Sequence, residues 1–154
     1  MDDARENELA RALDSPDPGV VLEAAHAIRH EWDRAVLRAL AEVGGRLQKR
    51  LPEMEFDGAL RANRTHVETA LKRIRLAMTD RCLCAAYLTE DLYNPEREAE
   101  AGRVRLLEFI VVPEEYTTRS RCECMACGDI FTVEEREYHY SWWIWQRVAT
   151  RKKG

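Results

Sequence analysis

Five cysteines stand in two short clusters of this chain, and the sequence holds no others. Cys82-x-Cys84 lies in "RCLCAAYL", and Cys122, Cys124 and Cys127 lie in "RCECMACGDIF". Two thiols separated by two residues and followed by Gly128 are spaced for a tight turn that presents both sulfurs to one ion. The glycine accepts the positive φ that such a turn needs. A tetrahedral zinc ion takes four ligands. The expected set is Cys82, Cys84, Cys124 and Cys127, with Cys122 as the alternative ligand. His139 is a further candidate, its plainer reading being a partly exposed strand histidine. A four-thiolate shell leaves no open position for water, so the expected zinc is structural. It would also stabilise a sheet too small to hold itself together.

Two other uses of clustered thiols carry less weight. A thioredoxin-type redox pair wants its first cysteine at a helix N-terminus after a strand, whereas both flanks of Cys124-x-x-Cys127 read as strands. Buried free thiols usually occur singly, and five in two clusters is a poor match to that habit. The N-terminal "MDDARENELARALD" is charged and lacks the apolar run of a signal peptide. Uncharged stretches such as "GVVL" and "FIVVP" are too short to span a bilayer. The expected compartment is therefore the cytoplasm, where disulfides are disfavoured and clustered cysteines turn to metal or redox use.

The chain changes character near residue 80. Residues 1–79 are rich in Ala, Leu, Arg and Glu, and 80–154 hold every cysteine and three of the four tryptophans. The expected domains are therefore a helical part at 1–79 and a β part at 80–154. A first helix runs from Asp2 or Asp3 to about Asp14, and "SPDP" forces a turn. Asp17 is placed to cap a second helix with Pro18 at its first position. Val21, Ala24, Ala25, Ile28 and Trp32 form its stripe. A third helix from about Asp33 carries Val36, Leu40, Val43 and Leu47, with Gly44-Gly45 marking a bend or a close helix approach. A fourth carries Val67, Leu71, Ile74 and Met78, with Thr65 and Glu68 spaced as a capping box. Five strand candidates follow: 82–89, 104–112, 115–123, "DIFTVEERE" and "YHYSWWIWQRV", with 93–103 as a charged loop. The expected class is α+β, an N-terminal antiparallel helical bundle packed on a small zinc-stapled antiparallel sheet.

Two local resemblances accompany this reading. "RSRCECMACGDIFTV" at 119–133 resembles the second hairpin of zinc-ribbon proteins, with Phe131 and Val133 alternating inward after the knuckle. Family ribbons commonly supply the other two ligands from a second Cys-x-x-Cys, where this chain has Cys82-x-Cys84 and a long insertion. "LARALDSPDPGVVLEAAHAI" resembles one HEAT-type helical repeat, with Val21 where that family usually has Arg. HEAT proteins are interaction scaffolds, so this likeness implies partner binding.

The strand "YHYSWWIWQRV" is apolar on both faces. Tyr138, Tyr140, Trp142, Ile144 and Val148 form the expected core face. The other face carries Glu137, His139, Ser141, Trp143, Trp145 and Arg147. Either the N-terminal helices cover Trp143 and Trp145, or Trp143, Trp145, His139 and Arg147 form a binding patch. Trp and Arg dominate interface hot spots, and the same residues stack on single-stranded bases. The basic tail "RVATRKKG" would then reach phosphates. The net charge of −4, and seven acidic residues from Glu114 to Glu137, oppose an extended basic track.

No catalytic set emerges. The sequence has no Gly-rich phosphate loop, no Gly-x-Ser-x-Gly and no His-Glu-x-x-His. His26 and His30 share a helix face, two ligands where a metal needs three or more. The expected role is a non-catalytic zinc-binding interaction module or adaptor whose partner is another protein. A zinc-ribbon nucleic-acid binder using strand 138–147 is the alternative, and an unrecognised enzyme or thiol redox protein is third. No membrane and no small-molecule substrate is expected.

Overall fold

Leucine and alanine stripes in the first half of the chain become helices that share one apolar core. The computed structural model describes residues 3–56, 63–138 and 140–150. The chain divides into two units between Leu83 and Cys84, and the protein is α+β. No helix among the described residues is long and apolar enough to cross a membrane.

In the first unit, α1 (Asp3–Leu13) buries Leu9 and Leu13. Helix α2 (Pro18–Arg29) starts where Asp17 accepts the Gly19 N–H at 2.9 Å, and Pro18 opens the helix without losing a needed donor. Its buried stripe is Val21, Ala24, Ala25 and Ile28. The expected third helix is two, α3 (Arg34–Ala39) and α4 (Ala41–Arg50), broken at Leu40 rather than at Gly44-Gly45. Leu40 is buried, so both segments keep their apolar residues inward across the break. Gly44 faces Leu71 and Ile74 at a distance that leaves room for a side-chain carbon in ordinary van der Waals contact. A Cβ there would lie 3.5 Å from Ile74 Cδ1 and 3.6 Å from Leu71 Cδ2.

Helix α5 (Asn63–Ala77) contributes Val67, Ala70, Leu71 and Ile74 to the same core. It begins before Thr65, so the expected capping box falls inside the helix, and Met78 lies beyond its end, exposed. Two arginines satisfy the C-terminal carbonyls that a helix leaves open. Arg38 Nε donates to Ala77 O at 2.7 Å, and Arg34 donates to the carbonyls of Ala77, Thr79 and Arg81. That clasp fixes the chain immediately before Cys82. Buried Arg73 donates to Glu31 O at 2.9 Å, and its guanidinium lies over the Trp32 ring.

The second unit is a meander. Strands β1 (Val104–Val112), β2 (Thr117–Cys124), β3 (Ile130–Tyr138) and β4 (Tyr140–Ala149) lie in that order in one antiparallel sheet. Phe109 faces Ser120, Ser120 faces Val133 and Val133 faces Trp145, so the register carries one row across all four strands. A bulge between Leu106 and Glu108 shifts the outer strand.

Two expectations for this half change. Residues 82–89 form no strand: Leu83–Leu88 is a 3-10 segment in which Leu83 to Tyr87 are all buried. A continuous apolar run lacks the alternation that separates strand from buried helix. The charged stretch 93–103 is not all loop, since α6 (Pro95–Glu100) begins where Asn94 accepts the Glu96 N–H. Four strands therefore replace five among the described residues.

Candidate metal centre

The turn between β2 and β3 is held by its own backbone. Cys124 N–H donates to Asp129 O at 2.8 Å, and Gly128 N–H donates to Cys124 O at 2.9 Å. Gly128 sits at φ 81°, where a side chain would be strained. Asp129 N–H lies 3.5 Å from Cys127 Sγ and points at the sulfur, as amides do around a metal-bound thiolate. Met125 N–H donates to Arg103 O, which ties the turn to the chain entering β1.

This knuckle meets the upstream pair. The Sγ atoms of Cys82, Cys84, Cys124 and Cys127 all lie within 4.8 Å of one another. The Sγ atoms of Cys84 and Cys127 lie 3.6 Å apart. Four sulfurs about 2.3 Å from a central zinc would stand about 3.8 Å apart, so the donor set and its spacing suit a tetrahedral metal. Cys84 and Cys124 are buried, whereas Cys82 and Cys127 are half-buried. The flanks of Cys124-x-x-Cys127 are strands, and no helix begins at Cys124 as a thioredoxin-type pair would require.

Cys122 stands outside this group. It is fully buried on the packed face of β2, opposite Phe131, with Ser120 Oγ at 4.0 Å. Burial pushes its thiol up to about 11, partly offset by the Ser120 hydroxyl. Two residues along a strand is about 6.6 Å, which separates Cys122 from the cluster that Cys124 joins. A Cys122→Ala variant is therefore expected to keep the parent's metal content. In the parent, a thiol reagent should label Cys122 only on unfolding; metal loss in the variant would place it among the ligands.

The aromatic strand packs on the face opposite to the one expected. Trp145 is only 4 % exposed, while Ile144 and Val148 of the predicted core face are open to solvent. The Trp145 ring stacks on Tyr87 with centroids 4.0 Å apart and meets Phe131 edge-on. Its Nε1 donates to Tyr93 O at 2.9 Å, and the Trp143 N–H donates to Asp91 O at 2.7 Å. Residues 87–93 of the same unit thus supply ring and hydrogen-bond partners to the strand. No sequence periodicity marks Tyr87, in a 3-10 segment, or Tyr93, in the irregular stretch after it, as packing partners of the strand. Trp143 is half-buried. Arg147 pairs with Asp129 at 3.1 Å and lies over the Phe131 ring. His139 lies outside the described residues.

The helix pair His26 and His30 does not assemble a metal group. Cys82, Cys84, Cys124 and Cys127 are the group of three or more potential ligands found among the described residues. His26 instead lies against His66, ring centroids 4.8 Å apart. Burial, and then the charge of Arg29, lowers its pKa from the ordinary histidine value.

No family model, curated protein or solved structure matches the chain.

Proposed function

We propose that this protein is a non-catalytic interaction module or adaptor whose β part is held by one structural zinc ion on Cys82, Cys84, Cys124 and Cys127. The observation that carries the reading is the convergence of four thiols within 4.8 Å around a hairpin knuckle. Zinc suits it better than a harder cation because thiolate donors select soft or borderline metals. When bound, the ion would supply cohesion rather than chemistry, since four sulfurs close its shell. Cys127 holds its sulfur under the Asp129 amide, and Cys124 is fixed by the paired turn backbone.

The interaction role is supported by the outer strand. Leu107, Phe109, Ile110 and Val111 of β1 are each more than two-fifths exposed, and an apolar edge strand is a natural template for pairing with another chain. The nucleic-acid alternative has less support. Burial removes Trp145 from use as a stacking platform, and the Arg147 charge is matched by Asp129.

Native mass spectrometry of protein purified without added metal is expected to show one zinc per chain. A fully reduced chain carrying no metal would overturn the reading. Tight binding to a single-stranded oligonucleotide that weakens steeply with salt would favour the alternative.

A further inference from the structure

We propose that Cys127 and Cys84 form a peroxide-reactive pair, through which hydrogen peroxide converts the metal centre into a disulfide and releases the ion. This rests on the zinc reading above. The geometry separates the two sulfurs by role. Cys127 is half-buried and open to a small oxidant, whereas Cys84 is wholly buried and positioned only to react second. Their sulfurs lie 3.6 Å apart, and a disulfide needs about 2.05 Å. Bond formation therefore requires the two sulfurs to approach by about 1.5 Å. The Asp129 N–H aimed at Cys127 Sγ favours an electron-rich sulfur at that position. A thiolate that is accessible and beside a resolving thiol is the arrangement that redox-sensitive cysteines share.

The chemistry closes with the peroxide alone. The Cys127 sulfur attacks one peroxide oxygen, the O–O bond breaks, and hydroxide leaves with the electron pair. Cys127 is then a sulfenic acid, oxidised by two electrons. The Cys84 thiolate attacks that sulfur, forms the S–S bond and expels a second hydroxide. Two thiolates and one peroxide thus become one disulfide and two hydroxides. Only Cys82 and Cys124 remain as donors, too few for a tetrahedral thiolate site. The new bond spans the same 43-residue separation that the metal had bridged.

The full zinc-loaded chain is treated with hydrogen peroxide beside a chromogenic zinc indicator, free thiols are alkylated, and unreduced peptides are mapped by mass spectrometry. The expected result is one equivalent of zinc released per chain, in step with the loss of two alkylatable thiols. The map should show a peptide pair joined through Cys84 and Cys127, and a dithiol reductant should restore zinc binding. Zinc retained under peroxide, or a cross-link through Cys82 or between Cys124 and Cys127, would overturn the inference while leaving the metal reading intact. A chain that never binds zinc would overturn the metal reading, and the release step with it. The map uses the parent chain, so it does not depend on a ligand variant that fails to fold.

Discussion

A Cys124→Ser/Cys127→Ser variant is expected to lose its metal and, with it, the cooperative unfolding of the second unit. Zinc binding in small domains is worth about 10–16 kcal/mol because the unfolded chain holds no formed site. The loss here should be smaller, since Tyr87, Phe131 and Trp145 form an apolar core of their own. A drop of about 5 kcal/mol is enough to remove most of a small domain's stability. Near-ultraviolet circular dichroism reports the packed aromatics, and its signal should vanish at a temperature where the parent retains it. The first unit has a separate core built from Leu13, Val21, Ile28, Leu37, Leu47 and Leu71, so most of the helical far-ultraviolet signal should persist. A strong chelator added to the parent should reproduce both effects. A variant that melts like the parent would show that the thiols hold nothing.

Trp145→Ala should be the most damaging single apolar substitution in the sheet. Removing a buried tryptophan costs about 3–5 kcal/mol, and this one takes with it the stack on Tyr87 and the edge contact with Phe131. It also leaves Tyr93 O without its indole donor. Trp145→Phe separates the terms. The ring contact largely survives, the hydrogen bond is lost, and a cost of about 1–3 kcal/mol is expected. Ile144→Ala, one residue away on the open face, should change stability by no more than about 0.5 kcal/mol. Urea titrations followed by circular dichroism compare the three. Equal losses at Ile144 and Trp145 would mean that the packed face has been misassigned.

Residues with strong local punctuation are legible in the sequence alone. β1 runs over the predicted 104–112 because its apolar run is bounded by Gly102 and Pro113. The knuckle was readable because Cys-x-x-Cys-Gly leaves the backbone few alternatives, and α2 because Asp17-Pro18 is a start signal. Elsewhere the deciding fact was tertiary. Strand β4 is apolar on both faces, so alternation could not say which one residues 87–93 would cover. Cys122 and Cys124 share a face, and only the rise along the strand excludes the first from the thiol cluster. Helix α6 is different: Asn94 and Pro95 announced it, but six residues are too few to show a stripe.

The meander has a consequence for the order in which the protein assembles. Each ladder joins strands adjacent in sequence, through turns such as Pro113–Tyr116 and Met125–Asp129. Closing such short loops costs little entropy, and hairpins form within about 1–10 μs. The thiol centre must instead join residues 43 apart, a slower search with a larger entropic cost. The sheet is therefore expected to zip first and present Cys124 and Cys127 as a ready two-toothed claw, with Cys82 and Cys84 arriving last. Metal scarcity would then act on the final step of maturation, holding back a population whose ladders are complete and whose Trp145 still waits for Tyr87.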